Sequence, residues 1–201
     1  MLSNLRVCVY CASSRKCDPA YLEAAERLGS HLARHQATLV YGGGGAGAMA
    51  RLANGALNAG GTAIGILPRF MQDLEWGHQQ LTELHIVEDM RERKHRMLQG
   101  ADAVVALAGG CGTLEELFEA ITLKRLGLYL GPIVLVNTRG FYDRVVAVLE
   151  NCIAEHFMHT RHGEIWTLVN EPEDVMEAIK SAPHWSAENR NFAVQQADAT
   201  D

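Results

Sequence analysis

The sequence predicts an α/β fold: a single Rossmann-like, doubly wound domain with a mainly parallel sheet flanked by helices. Three observations point there. Short β-branched apolar runs alternate with segments of helical period. The runs are nearly continuous in apolar character, as strands covered on both faces are. Glycine-rich stretches follow two of these runs where a helix begins, at Gly42–Gly47 and Ala108–Thr113.

The candidate strands are Arg6–Cys11, Thr38–Tyr41, Ala63–Leu67, Leu84–Val87, Ala103–Leu107, Ile133–Val136 and Ile165–Val169. Helical segments are expected between them, near Pro19–His35, Ala46–Ala59, Asp89–Gln99, Thr113–Leu126, Tyr142–His156 and Pro172–Lys180. Right-handed crossovers then place ligand-binding loops beyond the carboxyl ends of the strands. Those loops are Ala12–Ser14, Gly42–Gly47, Pro68–His78 and Ala108–Thr113. Residues 1–180 are expected to form the domain and residues 181–201 a polar extension. That tail is irregular apart from Trp185 and Phe192 and reads as a flexible extension or a clasp on a partner subunit.

A chain of 201 residues can bury a sizeable core, and 48% hydrophobic with 21% charged residues is ordinary globular composition. A net charge of −6 argues against a general nucleic-acid binder. No apolar run approaches a membrane span, and the N-terminus lacks the pattern of a signal peptide. Five cysteines read as free thiols in the reducing cytoplasm. Cys8 and Cys11 form C-x-x-C, but on a strand residues three apart face opposite ways and chelate poorly.

The most informative stretch is Leu107-Ala-Gly-Gly-Cys-Gly-Thr-Leu-Glu-Glu116. A strand–glycine–helix junction presents outward backbone N–H groups that bind an anion, and two carboxylates sit in the turn beside it. Thr113 and Glu116 also satisfy a capping box, T-x-x-E, which would occupy the Glu116 carboxylate structurally. Gly42, Gly44 and Gly47 fit G-x-G-x-x-G, but the next strand ends Ile66-Leu67-Pro68-Arg69 without the acid a dinucleotide ribose needs. No G-K-[ST] follows, so a P-loop is not indicated. Met90-Arg-Glu-Arg-Lys-His-Arg-Met97 is by itself a solvated helix with i,i+4 pairing. At the carboxyl edge of the sheet, Arg93 and Lys94 are placed to hold a phosphate or orient a carboxylate. Ser13 and Ser14 are placed to hydrogen-bond a phosphate, and Cys111 to line the pocket. His156, His159 and His162 read as surface histidines at a helix end rather than metal ligands.

Together these elements resemble the LOG family of cytokinin riboside 5′-monophosphate phosphoribohydrolases, many of which carry a lysine-decarboxylase label. The family pattern P-G-G-x-G-T-x-x-E is matched by Ala108 to Glu116. G-G-G-x-x-G-x-M is matched by Gly43 to Met49 with one extra glycine. M-x-x-R-K is matched by Met90 to Lys94, and C-[GA]-S-S by Cys11 to Ser14. The similarity runs from about Val7 to Ile179. It implies hydrolysis of the N-glycosidic bond of a nucleoside 5′-monophosphate, without cofactor or metal, in a homodimer or larger oligomer. Carried over by position, Arg93 and Glu116 are the catalytic pair. Gly109, Gly110, Gly112 and Thr113 hold the phosphate, Lys94 and Glu115 add substrate contacts, and Glu75 and Thr122 are further substrate-contacting positions. From the residues themselves, Gly43, Gly44, Ser13, Ser14 and Cys111 join the expected binding set.

Three residues depart from the family pattern. Ala108 stands where the motif has proline, which removes no donor to a ligand, and Ala48 and Ala50 replace Leu and Gly under the glycine loop. Two other functions stay open at this level. A molybdenum-cofactor carrier would use the same glycine loops and have no need of Arg93 with Glu116. A pyridoxal-phosphate decarboxylase would need a Schiff-base lysine, for which Lys94 and Lys124, on charged or amphipathic helices, are poor candidates.

Overall fold

The computed structural model of the chain describes residues 4–74 and 76–193. Its spine is a seven-stranded sheet, all parallel in its pairings. In chain order the strands are β1 (Arg6–Tyr10), β2 (Thr38–Tyr41), β3 (Ala63–Pro68), β4 (Glu83–Val87), β5 (Ala103–Ala106), β6 (Ile133–Val136) and β7 (Trp166–Val169). Their order in space is β4-β3-β2-β1-β5-β6-β7. The chain therefore works outward from β1 in one direction, returns, and works outward in the other. The crevice where direction reverses lies between β1 and β5, the place where such sheets bind ligands.

The helices are α1 (Pro19–Arg34), α2 (Gly47–Asn58), α3 (Arg69–Asp73), α4 (Met90–Leu98), α5 (Cys111–Arg125), α6 (Asp143–Ala154) and α7 (Val175–Ser181). Asp18 caps α1 through Ala20 N, with Pro19 in the first turn; Asp89 caps α4 through Arg91 N and Glu92 N. Strand side chains alternate between two apolar layers. Val7, Val9, Leu39 and Tyr41 pack with α1, α2 and α7. Cys8, Tyr10, Val104 and Ala106 pack with Met97 of α4, Leu117, Ala120 and Ile121 of α5, and Leu149 of α6. Cys8 and Cys11 fall in opposite layers, so they form no joint site.

Four features differ from the sequence expectation. Helix α5 begins at Cys111 rather than Thr113, with Gly110 as its N-cap, because Gly112 takes helical geometry within the first turn. Helix α3 was not expected; it is five residues long and buries none of them, so it carries no apolar periodicity. The final helix is split, a 3₁₀ turn at Pro172–Asp174 leading into α7. His162 is fully buried rather than on the surface. Its Nδ1 accepts from His159 N at 3.1 Å, and burial lowers its pKa to about 4, which keeps the ring neutral. Beyond α7, Trp185 is buried against α5 and a 3₁₀ stretch, Ala187–Ala193, follows it.

Candidate active site

A cleft of about 680 Å³ opens at the carboxyl ends of β1, β2, β3 and β5. One end is polar. Ser13, Ser14 and Arg15 reach it from the β1–α1 loop, and Gly110, Gly112 and Thr113 from the start of α5. A Cβ at Gly110 or Gly112 would meet nothing within 4 Å, so both glycines border open space at the start of α5, where first-turn N–H groups have no partner within the helix. Gly109 lies beneath, where a Cβ would fall 2.2 Å from Thr113 Oγ1; it lets the threonine pack. The β3 side is apolar, lined by Leu67, Met71 and Trp76 together with Met90, while Met49 sits beside the β1–α1 loop, its N donating to Ala12 O at 3.1 Å.

Between the ends lie Arg93 and Glu116, 4% and 5% exposed. Arg93 Nη1 donates to Glu116 Oε1 at 3.2 Å, Nη2 to Gly42 O at 3.0 Å and Nε to Ile66 O at 3.2 Å. The guanidinium is thus bolted to the ends of two strands, and its remaining edge presents the carboxylate to the cleft. Gly42 is required by this arrangement, since a Cβ there would sit 1.8 Å from Arg93 Nη2. Burial pushes the Glu116 carboxyl up to about 7, with Arg93 pulling in the opposite direction. Cys8, in the layer beneath, and Cys11, at the cleft wall, are held as thiols by burial.

The capping box, the competing structural reading of Thr113 and Glu116, is not formed. With Gly110 as N-cap, Thr113 is already inside the helix, and the Glu116 carboxylate bonds to Arg93 instead. The glycine loop has its own structural logic. Gly43 is buried at φ +73° against β3 and turns the chain, while Gly44 and Gly45 line the cleft. Gly47, at φ +58°, allows the Ser13–Ser14 backbone to pass within 2.3 Å of where a Cβ would be. Across the cleft mouth, Gly45 N donates to Trp76 O at 2.8 Å and His78 N to Gly43 O at 2.9 Å. These two bonds tie the α3–β4 loop to the glycine loop.

Of the residues expected from sequence, Ser13, Ser14, Gly44, Arg93, Gly110, Gly112, Thr113 and Glu116 come together around the cleft. Gly43, Gly109 and Cys111 flank it without lining it, and Cys111 is exposed. Lys94 is paired outside it, with Glu115 and with Glu119 Oε2 at 2.8 Å. Thr122 is further along the exposed face of α5, its hydroxyl donating to Phe118 O. Glu75 lies outside the described residues. Sequence reasoning named neither Arg15 nor Met49, Met71, Trp76 and Met90 as lining residues, although Met71 and Trp76 fall in the expected Pro68–His78 loop and Met49 and Met90 in matched motifs. Nothing in local spacing links those four, which come from different elements.

A family described as "Possible lysine decarboxylase" matches residues 49–179. A cytokinin riboside 5′-monophosphate phosphoribohydrolase from Rhodococcoides fascians is 39% identical over 87% of this chain and 89% of its own. The enzyme of the same name, LOG1, from Arabidopsis thaliana is 35% identical over 91% of each chain. Among solved structures, the molybdenum cofactor binding protein of Rippkaea orientalis superposes with a TM-score of 0.69 at 24% identity, covering 90% of this chain and 98% of its own. That likeness shows the fold.

Proposed function

The chain belongs to the LOG family of cytokinin riboside 5′-monophosphate phosphoribohydrolases, and on that premise we propose that it hydrolyses N6-substituted adenosine 5′-monophosphates, or AMP. The products are the free base and ribose 5-phosphate: water supplies hydroxyl to the anomeric carbon and a proton to the departing base. The buried Arg93–Glu116 pair, aimed into a cleft with an anion-binding end and an apolar end, carries the proposal.

The phosphate takes the α5 N-terminus, with Ser13, Ser14 and Thr113 beside it. The base takes the apolar end, against Trp76 and the methionines. The ribose then spans the gap over Glu116. Breaking the glycosidic bond builds positive charge on the ribose ring, which a carboxylate held near the anomeric carbon stabilises. Arg93 acts through Glu116. Its three bonds, two to backbone carbonyls and one to the carboxylate, fix the position of that carboxylate and leave the phosphate to the helix terminus. A cofactor carrier would need the anion-binding end but no buried carboxylate facing the cleft.

We assign the enzyme to the cytoplasm, where its five free cysteines stay reduced. We also take it to act as a homodimer or higher oligomer. The exposed stripe of α5 bearing Phe118, Thr122 and Leu126 suits that assembly, which light scattering after gel filtration tests. No helix among the described residues is long and apolar enough to cross a membrane.

The deciding experiment incubates the protein with AMP and with isopentenyladenosine 5′-monophosphate, and follows base release by chromatography. Release by the wild type, lost in Glu116→Ala, is the expected outcome. A folded wild type that binds both nucleotides and cleaves neither would overturn the assignment in favour of a binding protein.

A further inference from the structure

The segment after α7 leaves the sheet face it came from and closes on the C-terminal half of α5. Trp185 is 3% exposed and joins the core layer formed by Leu117, Ala120 and Ile121 of α5 and Met97 of α4. Its indole Nε1 donates to Lys124 O at 2.8 Å, in the last turn of α5, a carbonyl that also accepts from Gly127 N at 3.0 Å. The same ring lies 5.7 Å from the Lys124 ammonium. Lys124 is 1% exposed and has no ion-pair partner among the described residues, so the indole face is the stabilising contact its charge has. Three residues on, Gly127 follows the helix at φ +70°, and a Cβ there would fall 2.8 Å from Ala187 O. Backbone of the segment therefore closes directly onto the helix end.

The segment is itself pinned. Ser186 N and Oγ both donate to Asn189 Oδ1, at 3.1 and 2.8 Å. Phe192 stacks on His159, ring centroids 5.1 Å apart, and carries the Arg161 guanidinium on its face. These contacts fix one end of α5. The other end holds Thr113 and Glu116, and a helix is a stiff rod: Glu116 is eight residues from Lys124, about 12 Å along the axis. Leu117, next to Glu116, packs in the layer that Trp185 completes.

We infer that the C-terminal segment from Ala182 to Phe192 is a clamp on α5, and that Trp185 is a positioning residue for the Glu116–Arg93 pair. The inference rests on the phosphoribohydrolase reading for its kinetic consequence, but not for its structural one. With the clamp loosened, α5 shifts, the carboxylate meets more water, and its alignment with the anomeric carbon degrades while the phosphate and base contacts persist.

Two variants of the full chain, Trp185→Ala and Trp185→Phe, test it, with Leu149→Ala of α6 as a control that opens the same layer without touching a clamp contact. Two readouts are used: steady-state kinetics of base release, and carbon-13 NMR titration of the Glu116 carboxyl, assigned with Glu116→Gln. Trp185→Ala is expected to lower kcat about tenfold with KM moved less than about threefold. The Glu116 titration should move from about 7 toward the ordinary carboxylate range. Trp185→Phe, which keeps a ring and loses the N–H, should move both in the same direction by less, and the control should move neither. If Trp185→Ala does not fold, Trp185→Phe decides alone. Unchanged kcat and an unchanged Glu116 titration in the folded variants would overturn the clamp. A wild type that releases no base refutes the reaction instead, and the titration still judges the clamp.

Discussion

Arg93 and Lys94 are consecutive residues, as are Glu115 and Glu116, and both pairs bridge α4 to α5, yet they end in opposite surroundings. Arg93 and Glu116 are buried at the cleft, with every strong contact directed to a fixed partner. Lys94 meets Glu115 and Glu119 on the outside of the same helix pair, where both carboxylates are half exposed. A helix advances 100° per residue, so one step around each axis turns a charged residue from cleft to solvent. The difference teaches that charge pairing alone says little about role. In water such a pair is screened and nearly neutral in energy. Out of water the same chemistry shifts a carboxyl pKa and fixes a geometry.

Removing the carboxylate from the buried pair should have the largest effect. Glu116→Gln is expected to lower kcat about a thousandfold, because the group facing the developing ribose cation is gone. In the wild type, activity that needs the carboxylate should rise with pH through about 7 and level off above it. Stability runs the other way. A carboxyl whose folded pKa is raised contributes stability that is fully present below about 4.5 and lost as the pH rises through about 7. Glu116→Gln should therefore melt higher than wild type at pH 8 and at nearly the same temperature at pH 4. A calorimetric series over that range checks both ends.

Next in size is loss of the guanidinium. Arg93→Ala leaves Gly42 O and Ile66 O without a donor and Glu116 without a counter-charge, at a cost of about 3–5 kcal/mol in chemical denaturation. Arg93→Lys restores charge but not the three-way geometry, so it should recover stability in part and kcat hardly at all. Equal recovery of both would mean that charge alone matters at this position.

A third cation, this one on α5, extends the contrast. Lys124 is buried like Arg93 but lacks a carboxylate, and burial lowers its pKa to about 8. A lysine depressed in this way contributes stability that is present above its ordinary pKa of 10.5 and lost as the pH falls through about 8. Lys124→Met should stabilise the chain at pH 7 by on the order of 1–3 kcal/mol. It should also abolish the rise in melting temperature between pH 8 and 10. A destabilised variant would mean that the contact with Trp185 outweighs the desolvation of the ammonium.

How much of this was legible in the chain follows the same division between local and distant. The strands were, most clearly the inner ones, where a run such as Val7–Tyr10 or Ile133–Val136 is unbroken and buried, whereas the edge strands β4 and β7 keep polar and exposed residues. The polar end of the cleft was, because Gly110, Gly112 and Thr113 are neighbours. That Glu116 bonds to Arg93 rather than capping its own helix was not legible from spacing. The two are far apart in sequence, and T-x-x-E offers a complete local alternative. The apolar wall was hidden for a related reason. Met71 and Trp76 come from a short helix without a buried face and from the loop after it, so no periodicity marks them. Trp185 stood out as an aromatic in a polar tail, but its partner is the main-chain carbonyl of Lys124, which no side-chain pattern announces.

The smallest effect should come from the outer pair, and it is the most discriminating for that reason. Family resemblance makes Lys94 and Glu115 substrate contacts, whereas here Lys94 is held by two carboxylates away from the cleft. Lys94→Ala removes two ion pairs whose carboxylates are half exposed, so stability should change by no more than about 1 kcal/mol, and less still in high salt. If the single subunit contains all that touches the nucleotide, kcat and KM should both stay within about threefold of wild type. A selective rise in KM with the fold intact would mean that Lys94 leaves Glu115 and Glu119 when the nucleotide arrives. It would also mean that the outer face of α5 belongs to the site. The outer pair would then be a substrate-exchangeable contact, and the contrast with Arg93 would be one of mobility rather than of role.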